Sequence, residues 1–472
     1  MDPAVMTVDE ISAGYRTGGL SPSSLVSSLS ARIAALEPVL HAMITFDASA
    51  VLADAEACEA EMAAGVDLGP LHGVPVAVKD IIDVKGVPTS CASAVTANHV
   101  ADADAEIIRR LRAAGAIIFG KTNTHEFACG GPSFDLPLPP AANPWNTAHH
   151  PGGSSSGSGA GVAAGLFPLA LGTDTGGSVR HPASACGIVG LKPTYGLVSR
   201  AGVFPLAQSL DCVGGLARTV KDAGLLLNAL VGRDDADPAS IACPWDDCTR
   251  DIGQGGLEGK SGIEGLRIGF VRHFHTEDLE APVETVAALD AAADLLREAG
   301  AIVSQIRLPR LDSFFAANRV LMSAEGFSIH ASMLRTRPEA YGSLARRALM
   351  AGAFLSAEDY IAAQKLRLQL MDAMERAFDA CDILLLASSM EPASRLDQPA
   401  ETRRTYTRQA RTPFSVTGHP ALAMMAGLSS AGLPLSLQFA ARNFEEPLLL
   451  RVAAAYEALQ GYPIRPPLGR EI

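Results

Sequence analysis

Pro151-Gly152-Gly153-Ser154-Ser155-Ser156-Gly157-Ser158-Gly159 runs straight into the apolar stretch Val162 to Leu171, which ends in Gly172-Thr173-Asp174-Thr175-Gly176-Gly177-Ser178. Taken alone, the first piece has the composition of a flexible Gly/Ser linker. Linkers do not lead directly into apolar segments, so both glycine-rich pieces must be folded against a core. Residues 158 to 172 between them are predicted to form a helix and strand pair. Such helix-to-strand units suit a layered α/β protein.

Upstream, Val74, Val76 and Val78 alternate with Pro75, Ala77 and Lys79 in a strand-like period of two, placing Lys79 on the face opposite the valines. Residues 104 to 115 have helical spacing, and Ile117-Ile118-Phe119 follows as a buried strand. The first 65 residues are predicted helical: Thr7 with Glu10 forms a capping box, Ser21-Pro22 a second helix start, and Ala48 to Ala64 is alanine-rich. Downstream, 231 to 264 is rich in Asp, Gly and Pro and is the candidate irregular connection between two lobes. Beyond it come a strand at Leu266 to Val271 and a long helical stretch from about 281 to 380. Strands near Asp382 to Leu386, Ala421 to Met425 and Leu433 to Phe439 are expected to complete the sheet.

The formal net charge of −13 opposes a phosphate backbone, so nucleic acid is excluded as a partner on this ground. The arginines of Arg109-Arg110-Leu111-Arg112 lie in an amphipathic helical pattern, and Arg403, Arg404, Arg408 and Arg411 sit in a polar stretch read as a solvated loop. Ala160 to Gly172 is too short to span a bilayer, and no signal peptide is apparent. Eight cysteines without CxxC pairs fit free thiols in a reducing, cytoplasmic setting. A small-molecule substrate, no membrane and a possible homodimer are expected.

Gly153-Ser154-Ser155-Ser156-Gly157 also matches the G-x-S-x-G elbow of an α/β-hydrolase, with Ser155 as nucleophile. An elbow needs a strand just before the serine, and Asn143 to His150 is a polar, proline-containing loop. His273, His275, His330 and His419 offer no distinguished triad partner.

The two glycine-rich pieces, together with Gly73-Val74-Pro75-Val76-Ala77-Val78-Lys79-Asp80, Gly120-Lys121-Thr122-Asn123-Thr124-His125-Glu126-Phe127, Asn143-Pro144-Trp145 and Cys186-Gly187-Ile188-Val189-Gly190-Leu191-Lys192-Pro193-Thr194, resemble the amidase signature family. The similarity is densest between residues 70 and 220. It implies one large α/β domain over 1–472, a twisted mixed sheet surrounded by helices, with a signature core at about 70–220 and residues 265–472 completing the sheet and building the substrate funnel. It further implies a Ser178 nucleophile, a bridging Ser154 and a Lys79 base, with the backbone amides of Thr175, Gly176, Gly177 and Ser178 as oxyanion hole. Asp174, Ser155 and Arg180 would support the loop, Ala128, Cys129 and Gly130 would contact substrate, and neither metal nor organic cofactor is implied.

The activity implied is hydrolysis of the C–N bond of a small amide, anilide, ester or carbamate. Phe134, Leu136 and Leu138 are expected to wall the acyl pocket and favour neutral substrates. The alternative within the family is the glutamine-hydrolysing subunit of a tRNA-dependent amidotransferase, for which Arg367 falls at the carboxylate-holding position. Such subunits typically carry Met-Gly-Ser where this chain has Ala128-Cys129-Gly130-Gly131-Pro132-Ser133. A scaffold with a dead site is opposed by intact Lys79, Ser154 and Ser178.

Overall fold

Thr7 and Glu10 exchange the two hydrogen bonds of a capping box before the helix Val8–Thr17, and Ser21 with Ser24 does the same before Pro22–Leu40. The alanine-rich helix spans Ala48–Ala63 behind an Asp47 cap. These observations come from a computed structural model that describes residues 2–253, 262–461 and 465–469.

The helices surround one mixed sheet. Its strands are β1 (Met43–Thr45), β2 (Pro75–Lys79), β3 (Ile117–Thr122), β4 (Leu169–Asp174), β5 (Val189–Lys192), β6 (Cys212–Ala217), β7 (Arg267–Phe270), β8 (Ile302–Gln305), β9 (Ile383–Ala387), β10 (Ala421–Leu428) and β11 (Pro434–Ala441). They lie in the order β1-β3-β2-β4-β6-β5-β10-β11-β9-β7-β8. β2 runs parallel to both β3 and β4, β7 runs parallel to β8 and β9, and the pairings between these two blocks are antiparallel. The chain is thus a single α/β domain.

Every residue of β2, β4, β9 and β11 is buried, which is why these strands read as near-continuous apolar runs. For β2 this refines the expected alternation: the valine face and the face bearing Lys79 are both covered. The short helix Ser156–Ala163 packs across β2, β4 and β6. Its small residues permit this approach. A Cβ on Gly157 would stand 2.1 Å from the Ala42 carbonyl oxygen and 2.5 Å from the Asn123 nitrogen.

Residues 231–253 hold no helix or strand, as expected, while 254–261 of that predicted connection lie outside the described residues. They join two halves of one sheet, which meet where β5 pairs with β10 at Leu191 and Leu422. The predicted helical stretch of 281 to 380 is broken by β8 and divides into helices Val283–Glu298, Leu311–Thr336, Ser343–Met350 and Ala357–Ala380. β8 is a four-residue edge strand with Ile302 59% exposed, so it offers no burial pattern to read. Among the described residues, no helix is long and apolar enough to cross a membrane.

Because both neighbours of a Gly157 side chain would be backbone, Gly157→Ala should cost about 3 kcal/mol of stability, the upper end for overpacking. Chemical denaturation of wild type and variant checks this; a change within 0.5 kcal/mol, roughly the effect of a surface substitution, would contradict the packing described.

Candidate active site

Parallel β2 and β4 end at the same edge of the sheet, so Lys79, the last residue of β2, lies beside Thr173 and Asp174 at the end of β4. The Lys79 ammonium nitrogen is fully buried and lies 2.7 Å from both Thr173 Oγ1 and Ser154 Oγ. Burial lowers its pKa to about 7 against the opposing pull of Asp174 and Asp211, so a substantial neutral fraction exists at neutral pH.

Ser154 follows a cis Gly153-Ser154 peptide, and its carbonyl accepts from His125 N at 3.0 Å and Thr124 Oγ1 at 2.9 Å. A Cβ on Gly153 would overlap the His125 ring at 2.1 Å, so only glycine fits there. Ser155, the residue an elbow would use, is buried outside the cavity and braces β4, its Oγ accepting from Thr173 N at 3.3 Å. The amidase-type arrangement is the one the fold builds.

Ser178 is half-buried and faces a cavity of about 320 Å³ together with Ser154 and the loop 175–177. That loop is held by Asp174, which accepts from Gly177 N at 2.8 Å and from Arg180 through Nε at 2.9 Å and Nη2 at 2.8 Å. Burial alone would raise the Asp174 pKa, but the Arg180 guanidinium outweighs it and holds the carboxyl at about 2. The Gly177 amide is therefore already engaged. Among the described residues, the amides of Thr175, Gly176 and Ser178 donate to no protein acceptor and border the cavity. Gly177 has φ +122°, and a Cβ there would meet Arg411 Nε at 2.7 Å, so the position is closed to other residues on two grounds.

Ala128, Cys129 and Gly130 line the cavity. Burial pushes the Cys129 thiol up to about 12, so it remains neutral. His181 and His125 also line it, and burial depresses both, His125 to about 3, leaving uncharged rings.

Sequence reasoning missed the remaining walls: Asn318 and Arg319 from the helix Leu311–Thr336, and Tyr406, Gln409 and Arg411 from the 399–412 segment. Asn318 Nδ2 donates to the Thr175 carbonyl at 3.2 Å, tying that helix to the loop. The 403–411 arginines are not a solvated loop. Arg403 and Arg404 lie on the helix Pro399–Thr407, Arg404 and Arg408 both pair with Glu391, and Arg411 is buried against the cavity. Arg411 Nη1 donates to Ser388 O and Ser389 Oγ, while its Nε has no protein partner among the described residues.

The expected apolar wall is corrected as well. Phe134 is 67% exposed and outside this cavity, whose charged lining residues are Arg319 and Arg411 with no carboxylate. Arg367 does not line it either; its Nε donates to the Val416 carbonyl at 2.8 Å.

The amidase family model matches residues 24–450. The chain belongs to the amidase family. As a member it is an enzyme that hydrolyses carbon–nitrogen bonds. It is 38% identical, over 96% of both chains, to a glutamyl-tRNA(Gln) amidotransferase subunit of Geobacter metallireducens. Among solved structures, the peptide amidase of Stenotrophomonas maltophilia superposes with a TM-score of 0.86 at 30% identity, covering 98% of this chain and 99% of that one. A protein from a vestigial complex tied to the origins of an s-triazine catabolic enzyme superposes at 0.88 with 32% identity, covering 98% and 100%.

The first of these relatives overturns the exclusion of nucleic acid. Net charge describes the chain as a whole, whereas an amidotransferase subunit belongs to an assembly in which other chains can supply phosphate contacts. An acidic amidase fold is therefore compatible with a tRNA-linked reaction.

Asp174→Asn leaves the buried Arg180 charge uncompensated and should destabilise the fold by about 3–5 kcal/mol. Thermal or denaturant unfolding measures this, and an unchanged midpoint would show that the pair does not hold the loop.

Proposed function

We propose that this amidase hydrolyses a small amide that carries a carboxylate, through an acyl-enzyme on Ser178. One observation carries the proposal: the cavity around Ser178 presents Arg411 and Arg319 and no acidic side chain. A guanidinium suits a carboxylate because its donors match the two oxygens, and a cavity without acids does not repel it.

Lys79 in its neutral form keeps an N–H for Thr173 and offers its lone pair to the Ser154 proton, while Ser154 takes the proton of Ser178. The Ser178 oxygen adds to the amide carbon, and the oxyanion faces the amides of Thr175, Gly176 and Ser178. The relay returns a proton to the leaving nitrogen, the C–N bond breaks, and water then cleaves the Ser178 ester. Ala128, Cys129 and Gly130 form the wall beside the bound amide.

Glutamine is the first substrate to test, with the chain acting as the glutamine-hydrolysing subunit of an amidotransferase; the identity over nearly the whole length of both proteins supports this. A freestanding hydrolase of another carboxylated amide is the second reading. Ala128-Cys129-Gly130 in place of Met-Gly-Ser favours it, as does the likeness to amidases outside the tRNA system. Ammonia release from glutamine by the purified chain, with and without added amidotransferase partner subunits, separates the two.

Ser178→Ala should abolish turnover and any acyl-enzyme mass shift. Ser154→Ala and Lys79→Ala should each lose about 10²–10⁴-fold in kcat, the usual worth of a general base, without additivity. Near-normal rates in either would remove the relay.

Lys79 is inactive as a base when protonated, so kcat/KM should rise with pH, with a midpoint near the depressed value of about 7, and then level off. The stability sign is opposite to that of a salt-bridged lysine. Below about 7 both folded and unfolded states hold the proton and the full cost of the buried ammonium is present; the cost is relieved as pH rises from there towards the unfolded value of 10.5. Lys79→Met should therefore be inactive yet more stable than wild type at pH 6, as unfolding curves at pH 6 and 9 would show; a variant destabilised equally at both would mean Lys79 is not held against burial.

Arg411→Gln should lower kcat/KM for carboxylated amides at least tenfold while changing neutral amides of similar size little. Equal losses on both would assign Arg411 to the loop rather than to substrate.

A further inference from the structure

A second cavity of about 970 Å³ adjoins the catalytic one and shares Gly130, Arg319, Ala348 and Tyr406 with it. Three arginines converge on it from three different helices: Arg319 from Leu311–Thr336, Arg347 from Ser343–Met350 and Arg403 from Pro399–Thr407. Among the described residues none of the three has an ion pair or a side-chain hydrogen bond, although Arg404 beside Arg403 is paired with both Glu391 and Glu401. The two aspartates on the same walls are already occupied. Asp135 accepts from Ser133 Oγ and from Ser343 N at 2.8 Å, and Asp397 is held in two bonds by Arg395 at 2.9 and 2.7 Å. Against one lining carboxylate without a cationic partner, Asp135, the three arginines leave the cavity with a net excess of positive charge on groups with no internal partner.

Depth assigns the two cavities to two ends of one molecule. Arg411 is 2% exposed beside the loop that carries Ser178, whereas Arg347 and Arg403 are exposed at the outer end. A substrate whose acyl group lies towards Arg411 and whose carbonyl meets Ser178 sends the substituent on its nitrogen outward past Tyr406. Tyr406 lines both cavities at this junction. We propose that the outer cavity is the subsite for the leaving-amine half of an N-substituted amide, and that this half ends in an oxyanion, a carboxylate or a phosphate. The proposal rests on the reading of the catalytic cavity as a site for carboxylated amides. It narrows that reading, because a primary amide such as glutamine leaves the outer arginines unfilled.

The test compares four amides with one acyl group: succinamate itself and its N-propyl, N-(2-carboxyethyl) and N-(2-phosphonoethyl) derivatives. Wild type should show a kcat/KM at least tenfold higher for one of the anionic derivatives than for N-propyl, and the better of the two identifies the oxyanion. In the Arg347→Gln/Arg403→Gln double variant that advantage should fall at least tenfold, with succinamate and N-propyl succinamate within twofold of wild type. Raised salt should erode the same advantage. Succinamate as the best substrate, no anionic advantage, or an advantage that survives the double substitution would each overturn the proposal and leave the catalytic reading standing. Turnover of none of the four would instead sink the catalytic reading. The outer cavity is then judged by calorimetry on Ser178→Ala with succinate and with inorganic phosphate: saturable binding lost in the double variant supports an oxyanion site, and binding absent or unchanged refutes it.

Discussion

Asp174 and Arg180 are both fully buried, and the geometry of the catalytic edge hangs on their contact. One carboxylate terminates β4, takes the Gly177 amide and two bonds from the guanidinium, and accepts from Ser415 Oγ at 3.2 Å. The Arg180 Nη1 then reaches the Arg411 carbonyl at 2.8 Å and Gln438 Oε1 at 3.2 Å. A pair of this kind is not a source of stability in itself, since desolvation offsets most of the attraction. Its effect is positional. It fixes the turn that presents Ser178 and the free amides, and it ties that turn to β11 and to the segment carrying Arg411.

The electrostatics of the site are consistent with this frame. Lys79 is stripped of water by a strand buried on both faces, and the neighbouring histidines are neutral for the same reason. The full positive charge left on the cavity wall is that of the arginines, which remain cations even when buried: burial and the nearby Arg180 lower Arg411 only to about 9. Lys79 is thus made neutral by burial alone, against the carboxylates nearby, while the arginines supply the positive charge of the cavity wall.

What the sequence disclosed was local. The Gly/Ser turns, the valine strand that ends in Lys79 and the cysteine-glycine stretch into β5 each lie within a few residues of the groups they position, and the single α/β sheet was what their resemblance to the amidase signature implied. What it concealed was directional. Arg403, Arg404, Arg408 and Arg411 look alike in sequence, yet one lines the outer cavity, two pair with Glu391 and one is buried against Gly177. Asn318 and Arg319 reach the nucleophile loop from more than a hundred residues away, on a helix with no distinctive pattern. Phe134 borders the outer cavity and not the catalytic one, because an apolar residue among prolines does not reveal which of two adjoining cavities its loop walls. The net charge misled for a related reason: a sum over the chain says nothing about where charge gathers.

This separation between local and distant residues is also a separation of tasks. Lys79, Ser154 and Ser178 stand on the sheet edge and its two turns, within one hundred residues of sequence. Of the cavity walls, 125–131 and His181 lie close to the sheet edge, whereas the rest come largely from 311–350 and 399–412, segments that do not contribute strands to the sheet. Changes in those segments can alter which amide is accepted while the sheet edge stays intact. Relatives of such different name as a peptide amidase and an amidotransferase subunit match this chain over nearly its full length. The independence has a limit in the Asn318 bond to the Thr175 carbonyl. The helix that brings Arg319 to the cavity also grips the 175–178 loop, so a shift of that helix by one residue would move both. The cavity wall and the nucleophile loop are thus coupled at this one hydrogen bond.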